Sequence, residues 1–459
     1  MTWLDRQMLA QVWSAVGGSE QWLDRVTFDG PRVLSSPYPV ADLAAASVAA
    51  AGLAVAEFAA ENGEPGAFAG AVSVDRALAG AWYGMTLRPD GWQLPAPWDP
   101  VSGDYRCSDG WIRLHTNDPV HRAAALSVVG VSDAPTRAER AAVEQAVLLW
   151  VGERLETAVV AAGGCAAQLR TPAQWRNHHQ GMAVAHDPLV ARVFTDVSPA
   201  PTQAGPPERP LAGLRVLDLT RVLAGPAATR FLAGFGAQVV RIDLPGREEV
   251  GLDIEMTVGK RCARLNLRHE RVALLDLLAS ADVLVHGYRP GAMDGLGLDE
   301  RTLHTARSGL VEVMLDAYGW AGPWRGRRGF DSLVQMSSGI AHPGDDGAKP
   351  TPLPVQALDH ATGYLAATAA VRGLSDRRRT GLGSVSRLSL ARTAMFLQDH
   401  RAARDEGPVV PFDAEAAGGA VEETFWGPGR RLPGPITVGP ASMSWTIPAA
   451  PFGSADASW

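Results

Sequence analysis

The sequence predicts an α/β protein built on a parallel sheet, with a smaller α+β region attached to it. Two observations carry this. From Leu214 onward short apolar runs alternate with helix-length amphipathic segments, the pattern of strand–helix–strand units in a parallel sheet. Before that, Ala-rich helical runs and a Cys107-Ser108-Asp109-Gly110 hairpin signal occupy the first 205 residues, and the Pro-rich stretch 199–210, with five prolines in twelve residues, separates the two parts.

In the N-terminal part, Trp3, Leu4, Met8, Leu9, Val12, Trp13 and Val16 fall at helical spacing over residues 2–16. Residues 42–60 and 73–83 read as further helices. A Pro- and Trp-containing loop at 95–104 leads into a predicted hairpin over 105–114 with Asp109-Gly110 as its turn. Residues 138–162 read as an amphipathic helical region. After the linker, strands are predicted at 214–219, 238–243, 283–286 and 311–315. Helices are predicted at 226–235 and 270–280, with others opening at Asp331 and Asp359. Residues 406–459 are rich in Pro and Gly and read as an extended tail. The expected domains are therefore 1–205, 206–405 and 406–459.

Composition narrows the function. The 459 residues are 46% hydrophobic and 20% charged with a net charge of −7, a globular balance that argues against a general nucleic-acid binder. Three widely spaced cysteines suit a reducing cytoplasm and show no metal-ligand spacing. The N-terminus carries charges where a secretory signal needs an apolar run, and the low-charge stretch 43–57 is too short to span a bilayer. A cytoplasmic protein with no membrane and no metal is the expectation.

One frame occurs twice. Tyr38-Pro39-Val40-Ala41-Asp42 precedes one Ala-rich helix, and Leu353-Pro354-Val355-Gln356-Ala357-Leu358-Asp359 precedes another. Residues 73–79 likewise echo 389–395 at nearly the same interval, which points to an internal duplication. Asp359 is followed by Thr362-Gly363-Tyr364, whereas Asp42 is followed by Ala45-Ala46-Ser47 with no strand-rich segment expected before it. Asp42 is therefore read as a helix cap or a vestigial copy.

The segment Leu214 to Pro226 is a buried strand entering a Gly-Pro turn and a helix N-terminus, a position where parallel sheets bind anions. Gly234-Phe235-Gly236 imitates a dinucleotide fingerprint, but it follows a helix and precedes a strand, the reverse of the required order. Arg377-Arg378-Arg379 reads as an exposed turn, and the adjacent His178 and His179 make a poor metal pair.

The run from Arg215 to Asp243 resembles the opening of the family III CoA-transferases. The resemblance continues through Gly259-Lys260-Arg261, Tyr288-Arg289-Pro290-Gly291, Tyr318 to Pro323, Gly329-Phe330-Asp331 and Asp359. The region before the linker resembles the other half of the same family, so the halves are rearranged around a Rossmann-like domain. The resemblance implies transfer of CoA between an acyl-CoA and a free carboxylic acid, with Asp359 forming a mixed anhydride and then an aspartyl-CoA thioester. It further implies CoA as substrate with no tightly bound cofactor, and an interlocked homodimer. Arg221, Val222, Leu223, Ala224 and Tyr288 would line the CoA site, with Lys260, Arg261 and Arg289 facing its phosphates. The helix N-terminus at Asp359 would favour its ionised form and offer N–H groups to oxyanions. Phe330 stands where the racemases of the family carry a proton-transferring His, which makes an acyl-CoA racemase or isomerase the lesser alternative beside a non-catalytic CoA-binding subunit.

Overall fold

A computed structural model describes residues 4–61, 72–132, 137–197, 205–345, 347–401 and 409–459. Its centre is a seven-stranded sheet in the order Lys260–Arg264, Gln238–Asp243, Arg215–Leu219, Val283–His286, Val311–Asp316, Leu382–Ser389, Ala191–Val197. The first six strands are parallel and the last is antiparallel. Numbered along the chain, the six run 3-2-1-4-5-6, the doubly wound order. The direction of winding reverses between Arg215–Leu219 and Val283–His286, so the ligand crevice of such a sheet lies beyond the carboxyl ends of these two strands. The antiparallel edge strand comes from the N-terminal side of the Pro-rich stretch, of which residues 199–204 lie outside the described residues.

The duplication is visible in the backbone. Val26–Asp29 and Val72–Asp75 pair in parallel, joined through the Val40–Ala60 helix. This repeats the unit of Val311–Asp316, the Ala357–Thr380 helix and Leu382–Ser389. Each helix is entered through an inverse γ-turn. Pro39 (φ −77°, ψ 62°) lets Val40 N–H reach Tyr38 C=O at 2.8 Å, and Gln356 (φ −76°, ψ 65°) lets Ala357 N–H reach Val355 C=O at 2.8 Å. The two helices pack against one another in the main core, where Ala44, Ala45, Ala49, Ala366, Ala367 and Ala370 are fully buried or nearly so. Small side chains let two helix axes approach closely.

A separate three-stranded sheet, Gly103–Cys107, Gly110–Leu114 and Ala166–Gln168, has its own core with Val143, Leu155 and Val159. It docks on the Asp331–Ser338 helix, where Cys165 and Ala167 pack with Leu333 and Met336.

Several expectations are corrected. The hairpin turn is Ser108-Asp109, since Cys107 pairs with Gly110. Residues 72–75 form a strand and only Arg76–Ala81 is helical. The 138–162 region is two helices, Arg137–Val147 and Gly152–Ala161. The Asp42 copy does have a preceding strand, Val26–Asp29. The Val40–Ala60 helix is long and apolar enough to cross a membrane by length and composition, and 94% of that window is buried inside the protein.

The C-terminal segment is woven into the fold rather than trailing from it. Ala420–Thr424 pairs with Gly427–Arg431, which pairs in turn with Leu87–Pro89, and Ile436–Val438 pairs with Val72–Asp75. Trp445 stacks on Trp82 at 5.5 Å. Alternating Pro and Gly hide these short strands, because their partners are far away in sequence.

Candidate active site

Asp359 is the third residue of its helix and only 8% exposed. The helix N-terminus is not free to stabilise it. Asp331 Oδ2 accepts the N–H groups of Leu358 at 2.7 Å and Asp359 at 2.9 Å, while Asp331 Oδ1 accepts Gln335 Nε2. Gln335 Oε1 in turn accepts the N–H of Leu353, so one carboxylate and one amide clamp the 353–359 segment. Burial pushes the Asp359 carboxyl well above the ordinary carboxylate range, and the neighbouring Asp331 charge pushes it further. Burial also raises Asp331, though the N–H groups it accepts hold it back. This reverses the expectation that the helix N-terminus favours ionised Asp359. The donors that would have done so are already used by Asp331.

Gly363 lies one turn beyond Asp359 on the same face. A Cβ at this position would stand 2.4 Å from the Ala224 carbonyl oxygen, so glycine lets the helix seat directly on the turn before Ala224–Gly234. That turn contains Val222 at φ 64°, the one non-glycine residue with positive φ among the described residues. A β-branched residue there is strained, and such strain concentrates at functional sites. Glu249 holds it: one oxygen accepts Val222 N–H at 2.9 Å and the other accepts Arg221 Nε at 3.0 Å. Asp218 fixes the turn from below by accepting Thr220 N–H and Oγ1. Although burial alone would raise it, Lys260 and Arg241 hold the Asp218 carboxyl below its ordinary value.

The predicted CoA-site residues separate into two groups. Arg221, Val222, Leu223 and Ala224 follow the Arg215–Leu219 strand, and Tyr288 and Arg289 follow Val283–His286. These six therefore flank the switch point of the sheet. Arg247, unnoticed in the sequence, joins them after Gln238–Asp243. It pairs with Asp118 at 2.6 Å, across from the small sheet, and Arg221 lies 4.0 Å from the same carboxylate.

Lys260 and Arg261 open the Lys260–Arg264 strand, at the opposite end of the sheet from the crevice. Lys260 is 2% exposed, and its ammonium donates to Asp218 at 3.0 Å and to the Pro226 carbonyl at 2.9 Å. It braces the turn from inside and does not reach a phosphate. Arg261 donates to Ser458 of the C-terminal segment. Arg377 is buried against Asp282 and the Gly309 carbonyl, not exposed. His286 is packed against Glu312 at 3.0 Å. His360, beside Asp359, points inward onto Tyr83 and is held neutral by burial, its pKa lowered to about 3.

Asp42 sits at the equivalent position of the other helix with different surroundings. Arg32 donates to its Oδ1 from Nε at 2.9 Å and from a terminal nitrogen at 2.7 Å. Among the described residues no group of three or more His, Cys, Asp or Glu is arranged to hold a metal.

A doubly wound sheet, a strained turn at its switch point and a buried carboxyl seated against that turn define a small-molecule site of the α/β class. Residues 211–420 match the model of CoA-transferase family III. Over 148 residues the chain is 38% identical to an acetyl-coenzyme A transferase of Hypoxylon pulicicidum, covering 31% of this chain and 25% of that protein. It is 32% identical over 210 residues to a probable fatty acyl-CoA transferase of Mycobacterium tuberculosis, covering 42% and 53%. It is 32% identical over 191 residues to succinyl-CoA:glutarate CoA-transferase of Mus musculus, covering 38% and 44%. The chain thus spans from a quarter to about half of the length of these curated relatives.

Proposed function

We propose that the chain transfers CoA between an acyl-CoA and a free carboxylic acid, with Asp359 as nucleophile. The observation that carries this is the seating of a buried carboxyl, through Gly363, against the strained 221–224 turn at the sheet's switch point. In its ionised form Asp359 attacks the thioester carbonyl, forming an aspartyl-acyl anhydride and releasing CoA thiolate. The thiolate attacks the aspartyl carbonyl of that anhydride, leaving aspartyl-CoA thioester and the free donor acid. The acceptor carboxylate then attacks the aspartyl thioester, again releasing thiolate, which takes the acceptor acyl group and regenerates Asp359. Arg221, Arg247 and Arg289, which follow strands beside the switch point, would meet the phosphates of CoA in this reading, and Lys260, held by Asp218, would not. Action as a homodimer in the cytoplasm completes the proposal.

Mass spectrometry after incubation with an acyl-CoA tests it. A covalent adduct mapped to Asp359, absent from Asp359→Asn, is expected. Binding of acyl-CoA with no adduct at any time point would overturn the reading.

A further inference from the structure

Beside Phe330, polar atoms from the end of the small sheet and from the Pro119–Val129 helix after it are buried without partners. The His115 ring stacks on the Phe330 ring with centroids 3.7 Å apart, and His121 meets the same ring edge-on at 5.9 Å. Phe330 directly precedes Asp331, whose carboxylate holds Asp359 N–H at 2.9 Å. Trp98 closes the group with its edge on His115 at 5.9 Å, and the Arg113 guanidinium lies over Trp98 at 5.3 Å. His115 is 6% exposed and His121 9%. The Nδ1 atoms of both histidines and Nε of Arg113 have no hydrogen-bond partner.

Each buried polar group left unpaired costs about 1–3 kcal/mol, and two beside the Phe330 ring with a third over Trp98 call for a cause. An aliphatic acyl tail would leave all three unpaired. The surrounding charge selects among polar groups. Arg113, Arg221, Arg247 and Arg328 act on these histidines, and Asp118, the one acid acting on both, already receives Arg247. Asp104 is likewise engaged, by Arg113 at 2.7 Å. Burial and these cations keep both imidazoles neutral, so each can donate one N–H without competing as a cation. Neutral donors inside a positive field suit an anion that has two acceptor oxygens.

We propose that His115 and His121, backed by Arg113, form a specificity subsite that receives a second, distal carboxylate, so that the acids handled are dicarboxylic. This rests on the CoA-transfer reading for the identity of the reacting end. The sequence concealed the site because residues 113–121 and 330 belong to separate segments, and Phe330 by itself carries no chemistry.

Succinyl-CoA and butyryl-CoA differ at the far end by a carboxylate against a methyl group. Their binding is compared by calorimetry on the full-length Asp359→Asn chain, where no covalent step intervenes. Succinyl-CoA is expected to bind at least about tenfold more tightly, the factor for one hydrogen bond to a charged group. His115→Phe and His121→Phe, each added to that chain, keep an aromatic ring on Phe330 and should each bring the ratio towards one. Circular dichroism identifies any variant that fails to fold, and the other then decides. Equal binding of the two esters, or an unchanged ratio in a folded Phe variant, overturns the subsite. Because this readout needs no turnover, selectivity without any Asp359 adduct in the wild-type chain would instead remove the transferase reading.

Discussion

The Val40 and Ala357 helices start from the same backbone and put an Asp at the same third position, yet they treat that carboxyl in opposite ways. Asp42 receives two N–H groups from Arg32, a buried ion pair that fixes the charge and closes the position. Among the described residues Asp359 has no salt-bridge partner. The charge acting on it is that of Asp331, which takes the helix N–H groups for itself and leaves Asp359 buried with a raised pKa. The frame of the helix is thus neutral as to chemistry. What decides is whether the strands and loops around it deliver a counter-ion or a second acid.

The sharpest break between the two copies is expected from removing each carboxyl. Asp359→Asn should abolish the covalent adduct completely and leave folding intact. Asp42→Ala should keep the adduct but lower stability by about 3 kcal/mol in urea denaturation, because the buried Arg32 loses the anion it donates to. An adduct that disappears in Asp42→Ala under conditions where the protein is folded would mean that the two copies have been assigned the wrong way round.

A smaller effect separates the residues one turn further on. Gly363→Ala places a methyl group 2.4 Å from the Ala224 carbonyl, so the Ala357 helix must shift off the 221–224 turn. A loss of about 2 kcal/mol is expected, together with a marked drop in adduct formation. The equivalent change in the other copy runs in reverse. Ala46→Gly should cost about 1 kcal/mol of helix propensity and leave the rate alone. Equal rates in Gly363→Ala and wild type would show that the contact with the turn is packing without function.

Much of this was legible in the sequence, and the failures share a cause. The parallel sheet, the 221–224 turn and the Asp359 helix are local patterns: apolar runs, a Gly-Pro turn, an Ala-rich helix opened by an acid. They could be read because each signal lies within one element. Lys260 was misplaced because a basic residue in a motif says nothing about which end of a strand it occupies, and here it is the end away from the crevice. The strands after Ala420 were missed because Leu87–Pro89 and Val72–Asp75, their partners, lie hundreds of residues earlier. Glu249, Arg247 and Asp118 carry no motif, and only the fold brings them to the turn. The sign of the effect on Asp359 was misjudged for a related reason, since the rule for a helix N-terminus assumes that its N–H groups are free.

That sign has a consequence that can be measured without substrate. A carboxyl whose folded pKa lies above its unfolded value contributes stability that is complete below the ordinary value of 3.8 and is lost as pH rises towards the folded value. Wild type should therefore lose stability through Asp359 as pH rises above the ordinary carboxylate value of 3.8, and Asp359→Asn should not. The Tm of the variant, measured against wild type, should pull ahead as pH rises across this window. Asp331→Asn separates the two causes. Asn can still accept the N–H groups of Leu358 and Asp359, but it removes the charge that adds to the effect of burial. The pH at which adduct formation sets in should then move lower, at the loss of the one hydrogen bond from Gln335 Nε2, which the Asn amide nitrogen cannot accept. A midpoint that stays in place in Asp331→Asn would leave burial alone as the cause, and the contrast with Asp42 would then rest on Arg32 and not on the second acid.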